Sequence, residues 1–248
     1  MKYIYVPLVF ILILISCKSE QDTQMIIDRC IEVHGGNRYQ NAKIEFDFRD
    51  RHYIATRTNG VYKYERIFND SLNRIHDFLT NDGFKREIDG KYANVSEEWT
   101  RRYSNSINSV IYFALLPYGL NDPAVIKEYI NMSKINGQEY HKIRITFRQE
   151  GGGEDYEDKF IYWINADTYT MDYFAYLYYS DEGGIRFRSV SDVQVVNGIR
   201  FQDYMNYKLP DDNINFESID SLFELGDLEL LSEIKNENRI VNLTGNQN

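Results

Sequence analysis

The chain has 248 residues with 21 Tyr, 14 Phe, 2 Trp, 4 Pro and a net charge of −10. Such an aromatic, proline-poor composition excludes a disordered chain and favours strands around a core. The negative field repels phosphate backbones, which excludes nucleic acid as a partner.

Residues 1–16 carry one positive charge, Lys2, and an apolar run from Tyr3 to Ile15 interrupted by Pro7. The run falls short of the about 20 apolar residues that a membrane-spanning helix needs, and it reads as a signal peptide. Its end, Leu14, Ile15, Ser16 and Cys17, resembles the lipobox of bacterial lipoproteins, with Ile15 standing where small residues are commoner. The resemblance implies cleavage before Cys17, acylation of its thiol and attachment to a membrane of the cell envelope, the outer membrane before the inner. Residues 17–22 become a lipidated tether. Cys30 is the one remaining cysteine, so no internal disulfide can form and stability must come from the core.

Thr23 is a candidate N-cap for a helix that places Met25, Ile26, Cys30, Ile31 and Val33 at helical spacing before Gly35-Gly36 stops it. From Ala42 the period becomes two, with Ile44, Phe46 and Phe48 alternating against Glu45, Asp47 and Arg49. Further strands are predicted at 51–58, 61–69, 73–79, 83–88 and 91–95. Turn pairs at Asn59-Gly60, Asn69-Asp70, Asp82-Gly83 and Asp89-Gly90 make neighbouring strands antiparallel.

Residues 96–120 lose the alternation and place Tyr103, Ile107, Val110, Ile111 and Ala114 on one helical face, ended by Pro117 and Gly119. Asp122 as N-cap and Pro123 at the first helical position predict a second helix continuing over 124–130. Strands return at 140–149, 158–165, 170–180, 184–192, 193–197, 199–208 and 221–225, and residues 235–248 read as a flexible tail.

No linker divides the chain, so residues 23–234 read as a single domain. About ten antiparallel strands exceed a comfortable flat sheet. The predicted fold class is therefore mainly β (α+β): a curled antiparallel sheet forming a half-barrel, with an N-terminal helix and a central helix pair on or in its concave face.

This element order resembles the LolA-like lipoprotein carriers, in which helices plug a hydrophobic cup. A second resemblance lies in Tyr-Ser-Asn-Ser-Ile-Asn-Ser-Val-Ile-Tyr-Phe (103–113), Leu-Pro-Tyr-Gly-Leu-Asn-Asp-Pro-Ala-Val (116–125) and Glu-Asp-Lys-Phe-Ile-Tyr-Trp-Ile-Asn (157–165). Together with Gly-Ile-Arg-Phe-Arg (184–188) and Gly-Ile-Arg-Phe-Gln-Asp-Tyr (198–204), these are similar to an uncharacterised Bacteroidetes lipoprotein family, a domain of unknown function. The first resemblance implies a lipid, acyl chain or other hydrophobic ligand. The second implies the envelope location and no particular activity.

Two readings of the central helix stand side by side. In one, Tyr103, Asn105, Ile107, Asn108, Ile111, Tyr112, Phe113 and Leu116 line a ligand cavity with its amides at the mouth. In the other, the same residues complete a filled core, and the acidic surface meets an envelope protein partner. Arg144, Arg148, Arg186, Arg188 and Arg200 alternate with apolar residues, which predicts a face that either holds an anionic head group or pairs with carboxylates in solvent.

Gly151-Gly152-Gly153 lacks the Lys-Ser/Thr of a phosphate loop and reads as a hairpin loop. Cys30 and His34 share a helical face but supply two ligands at most, so no metal and no cofactor is expected. His52, His76 and His141 lie in separate strand segments with no nucleophile motif beside them, and catalysis, a hydrolase reading included, is not expected.

Overall fold

A computed structural model describes residues 22–153, 155–179, 183–210 and 215–244. The expected leader, Cys17 with its expected acylation, the expected tether up to residue 21 and the last four residues lie outside the described residues. The fold is mainly β, as the two-residue alternation predicts, with fourteen strands among the described residues. They form two seven-stranded antiparallel sheets that do not close into a barrel.

The first sheet has the order β14-β1-β2-β3-β4-β5-β6. Its strands are β1 (Ala42–Phe48), β2 (Arg51–Thr58), β3 (Val61–Asn69), β4 (Arg74–Thr80), β5 (Gly83–Ile88), β6 (Lys91–Ala93) and β14 (Glu237–Leu243). The second has the order β13-β12-β11-β10-β9-β8-β7. It comprises β7 (Val125–Ile135), β8 (Gln138–Phe147), β9 (Lys159–Asn165), β10 (Met171–Tyr178), β11 (Gly184–Val196), β12 (Ile199–Lys208) and β13 (Glu229–Ile234). Helix α1 covers residues 22–34, α2 runs Glu97–Ala114 and α3 runs Ile219–Leu225.

The described residues group into two compact units, each assembled from three chain segments. One, here the α2 unit, draws on His34–Gly119, Val190–Tyr204 and Glu233–Asn248. The other, the α3 unit, draws on the described residues of 22–33, Leu120–Ser189 and Met205–Ser232. The chain passes between them five times, at 33/34, at 119/120 and inside β11, β12 and β13.

Hairpins follow the turn chemistry. At Asn59-Gly60, Asp89-Gly90 and Asn197-Gly198 both residues take positive φ, the backbone that matches the twist of the flanking strands. Residues 184–196, expected as two strands, form the single strand β11.

Three expectations are corrected. The second central helix is absent: residues 125–135 form β7, and no helix pair exists there. Its helix-start signals are overruled by the Asn136-Gly137 turn, with φ of 50° and 82°, which folds β7 back antiparallel on β8. The strand expected over 221–225 is instead α3, which Gly226 closes in the left-handed conformation. The flexible tail is likewise replaced through residue 243 by β14, which pairs with β1 from Ala42↔Leu243 to Asp47↔Glu237 and buries Val241.

Candidate functional site

Register fixes which side chains share a face of the first sheet. One row runs Phe46–Tyr53–Arg66–Asp77–Arg86 across β1 to β5, and the next runs Ile44–Ala55–Tyr64–Leu79–Phe84. Both belong to the face that carries the apolar core of the α2 unit. The opposite face presents Glu45, Asp47, His52, Glu65 and His76, where His52 Nδ1 lies 2.6 Å from Asp47 and His76 Nε2 lies 2.9 Å from Glu65.

Helix α2 starts at Ser96, whose hydroxyl accepts from the Trp99 N–H, and Glu97 and Glu98 favour the positive end of the helix dipole. Its two halves differ. Ile107, Ile111 and Ala114 are buried in one cluster with Tyr53, Tyr64, Ala55 and Ile44. Burial of each isoleucine stabilises by about 1.5–3 kcal/mol. Residues 97–106 contain no buried side chain. Tyr103 packs on Phe84 with ring centroids 5.8 Å apart and stacks on Trp99 at 5.3 Å. Tyr62, Leu79 and Phe84, at the edge of the core, are only partly buried.

Beside that half-covered wall lies a buried ionic cluster. Arg66 is 2 % exposed and donates from Nε and Nη2 to Asp77 Oδ2, at 3.0 and 2.7 Å. Arg86 donates from Nε to Asp77 Oδ1 at 2.6 Å and from Nη2 to Oδ2 at 2.9 Å. Two guanidiniums thus share one carboxylate. The further contacts are neutral: from α2, Arg66 Nη1 donates to the Ser106 hydroxyl at 2.8 Å and the Tyr103 ring covers the Arg86 guanidinium at 3.7 Å, and from β3 the Phe68 ring lies 5.6 Å from the Arg66 guanidinium. Arg57, on the same face, stacks on Tyr64 and Tyr118, donates to the Tyr64 hydroxyl and leaves Nη1 buried without a hydrogen bond.

The α3 unit holds a second buried cluster. Lys142 Nζ donates to both oxygens of Asp220 at 2.9 Å and to the Glu217 carbonyl. The indole N–H of Trp163, itself fully buried, donates to Asp220 Oδ2 at 3.1 Å. One ammonium therefore meets one carboxylate, and the pair ties α3 to the second sheet. Phe223 of α3 packs on Phe187 at 4.7 Å in the same core.

Of the residues expected to line a cavity, Ile107, Ile111 and Leu116 are buried, Tyr103, Asn105, Tyr112 and Phe113 are partly buried, and Asn108 is exposed. A separate polar cleft of about 450 Å³ is lined by Arg38, Asn197, Gly198, Asn242 and Leu243, none of them on α2. The five arginines do not form one face. Arg144 pairs with Glu128 and Glu217, Arg148 is exposed, and Arg188 is buried between the rings of Phe174 and Tyr176.

His34 is buried with Nε2 2.8 Å from Gln202, and His141 lies 3.4 Å from the Tyr129 hydroxyl. Among the described residues, no group of three or more His, Cys, Asp or Glu side chains is placed to hold a metal.

Arg66, Asp77 and Arg86 escaped the sequence reading, which assigned charged residues in strands to the solvent face. A signal was available: Arg66 is in phase with Tyr64 and Phe68, Asp77 with Ile75 and Leu79, and Arg86 with Phe84 and Ile88. Charges in phase with apolar neighbours point to the core face.

Among solved structures, the chain is similar to a LolA superfamily protein from Nitrosomonas europaea, at 10% identity and a TM-score of 0.46, covering 89% of this chain and 91% of that one. A DUF1329 family protein from Desulfovibrio piger is similar at 10% identity and a TM-score of 0.48, covering 88% and 92%. No curated protein matches the chain. A family model matches residues 2–236, nearly the whole sequence, and the chain therefore belongs to DUF6503, a family of unknown function.

Proposed function

We propose that this protein is a lipid-anchored envelope protein, held by an acylated Cys17, that binds a hydrophobic ligand on the apolar wall beside the N-terminal half of α2. The observation that carries the ligand reading is the asymmetry of that helix. Its C-terminal half is packed into the core, whereas residues 97–106 contain no fully buried side chain and leave Tyr62, Leu79 and Phe84 partly exposed. Apolar surface bordered by a few polar groups is the chemistry of small-molecule sites, and a segment without a fully buried side chain opens more easily than the core half of the same helix.

Binding without catalysis is the reading, because no nucleophile motif accompanies His34, His52, His76 or His141 in the sequence. Support for the anchor comes from residues 1–17 of the sequence.

Nile red, a neutral apolar dye, tests the site. Its emission should rise on the purified chain, and Phe84→Asp should abolish that rise while the far-ultraviolet dichroism stays unchanged. Equal emission from a folded Phe84→Asp variant would sink the reading. For the anchor, intact mass of the envelope-extracted protein should give a chain starting at acylated Cys17; a product retaining Met1 without acylation would overturn it.

A second reading has its own observation. Ile107 and Ile111 are 0 % and 1 % exposed in a closed cluster, which favours a filled-core protein that acts through its surface on a protein partner. Failure of Nile red to bind the wild-type chain would favour this alternative.

A further inference from the structure

We infer that the ligand of the α2 unit is an anionic amphiphile, one apolar chain with a carboxylate or phosphate head, and that Arg86 receives the head. The inference rests on the proposed function and names the substrate class for the same site. Its basis is a charge imbalance. Asp77, fully buried, accepts from Arg66 and Arg86 together, so the cluster keeps one positive charge in excess on a chain whose net charge is −10.

A buried charge is ordinarily neutralised by a partner. Here the completing groups are neutral. Ser106 takes the free Arg66 nitrogen, and the Tyr103 ring lies over Arg86. Both belong to the part of α2 that buries no side chain, so both leave together if that segment lifts. Arg57 adds a third guanidinium to the same face and has no carboxylate within ion-pair reach among the described residues.

Position selects Arg86 among the three. Its side chain is 12 % exposed against 2 % for Arg66, so solvent already reaches it. It sits two residues from Phe84 on the same strand face, about 7 Å along β5. An apolar chain lying on Phe84, Leu79 and Tyr62 thus brings its head to the guanidinium, where a planar fork suits a carboxylate or phosphate. A cationic head meets repulsion at the same point.

Displacement of Nile red from the full-length chain tests this with four single-chain probes: dodecanoate, dodecyl phosphate, 1-dodecanol and dodecyltrimethylammonium. Either anion should displace the dye at about tenfold lower concentration than the alcohol, the factor expected from one charge-assisted contact. The stronger of the two anions identifies the head. Arg86→Met should bring the anions level with the alcohol while Nile red still binds.

Equal potency of anions and alcohol on the wild-type chain would overturn the inference, as would tighter binding of the cation or an Arg86→Met variant that keeps the full preference. The wild-type comparison stands even if that variant fails to fold. If Nile red does not bind at all, the site itself fails; if it binds and the anions show no advantage, the site stands and only the head-group assignment falls.

Discussion

The two buried ionic clusters invite comparison because they use similar parts to opposite effect. In the α3 unit, Lys142 and Asp220 balance one another, and the Trp163 N–H and the Glu217 carbonyl complete their hydrogen bonds. Nothing there is left to satisfy. In the α2 unit, two arginines draw on the single carboxylate of Asp77, and a hydroxyl and a ring come from the helix segment that has no fully buried side chain. Balance makes a staple; imbalance leaves the charge on which the proposed ligand site depends. Burial is similar in both, so stoichiometry and the nature of the last partner separate structure from site.

Removing a partner from each cluster exposes the difference. Lys142→Ala strands the Asp220 carboxylate in the core, and chemical denaturation should show a loss of about 3–5 kcal/mol. Arg86→Met keeps the Arg66–Asp77 ion pair but removes the donor to Asp77 Oδ1, so the same measurement should show a smaller loss, about 1–3 kcal/mol. Equal losses would break the comparison.

Fine detail comes from a carboxylate of the α3 unit that lacks the staple's arrangement. Burial pushes Asp158 up to about 6, with Asp155 and Glu157 adding repulsion against the Tyr179 N–H that it accepts. A carboxyl raised from 3.8 binds its proton more tightly folded than unfolded. Its contribution is thus fully present below about pH 4 and is lost as pH rises through about 6. Asp158→Asn should stabilise the chain at pH 7 by about 1 kcal/mol after allowance for solvent screening, a rise of about 2–4 °C in melting temperature. It should also flatten the melting profile between pH 4 and 6; an unaltered profile would show that Asp158 is not the group responsible.

The strands most legible in the sequence are those bracketed by positive-φ turn pairs. β2 and β3 flank Asn59-Gly60, and their bounds coincide with the alternation at 51–58 and 61–69. Legibility failed where local and distant signals conflict. Asp122-Pro123 starts a helix locally, but Val125, Ile126 and Tyr129 suit a strand, and pairing with β8 decides. Glu237–Leu243 reads as tail because its partner, β1, lies at the other end of the chain. For the site, the central helix was legible through Tyr103, Ile107 and Ile111, whereas Arg66, Asp77 and Arg86 became a cluster only once register aligned three strands.

The pairing of β14 with β1 also governs the order in which this protein can be completed. About two hundred residues separate Ala42 from Leu243, so the seam between them closes only after all of those residues have emerged. Until then, the backbone donors and acceptors along the outer side of β1 lack their final neighbour and form an adhesive border. The first sheet therefore waits for β14 long after β2 to β6 have been made.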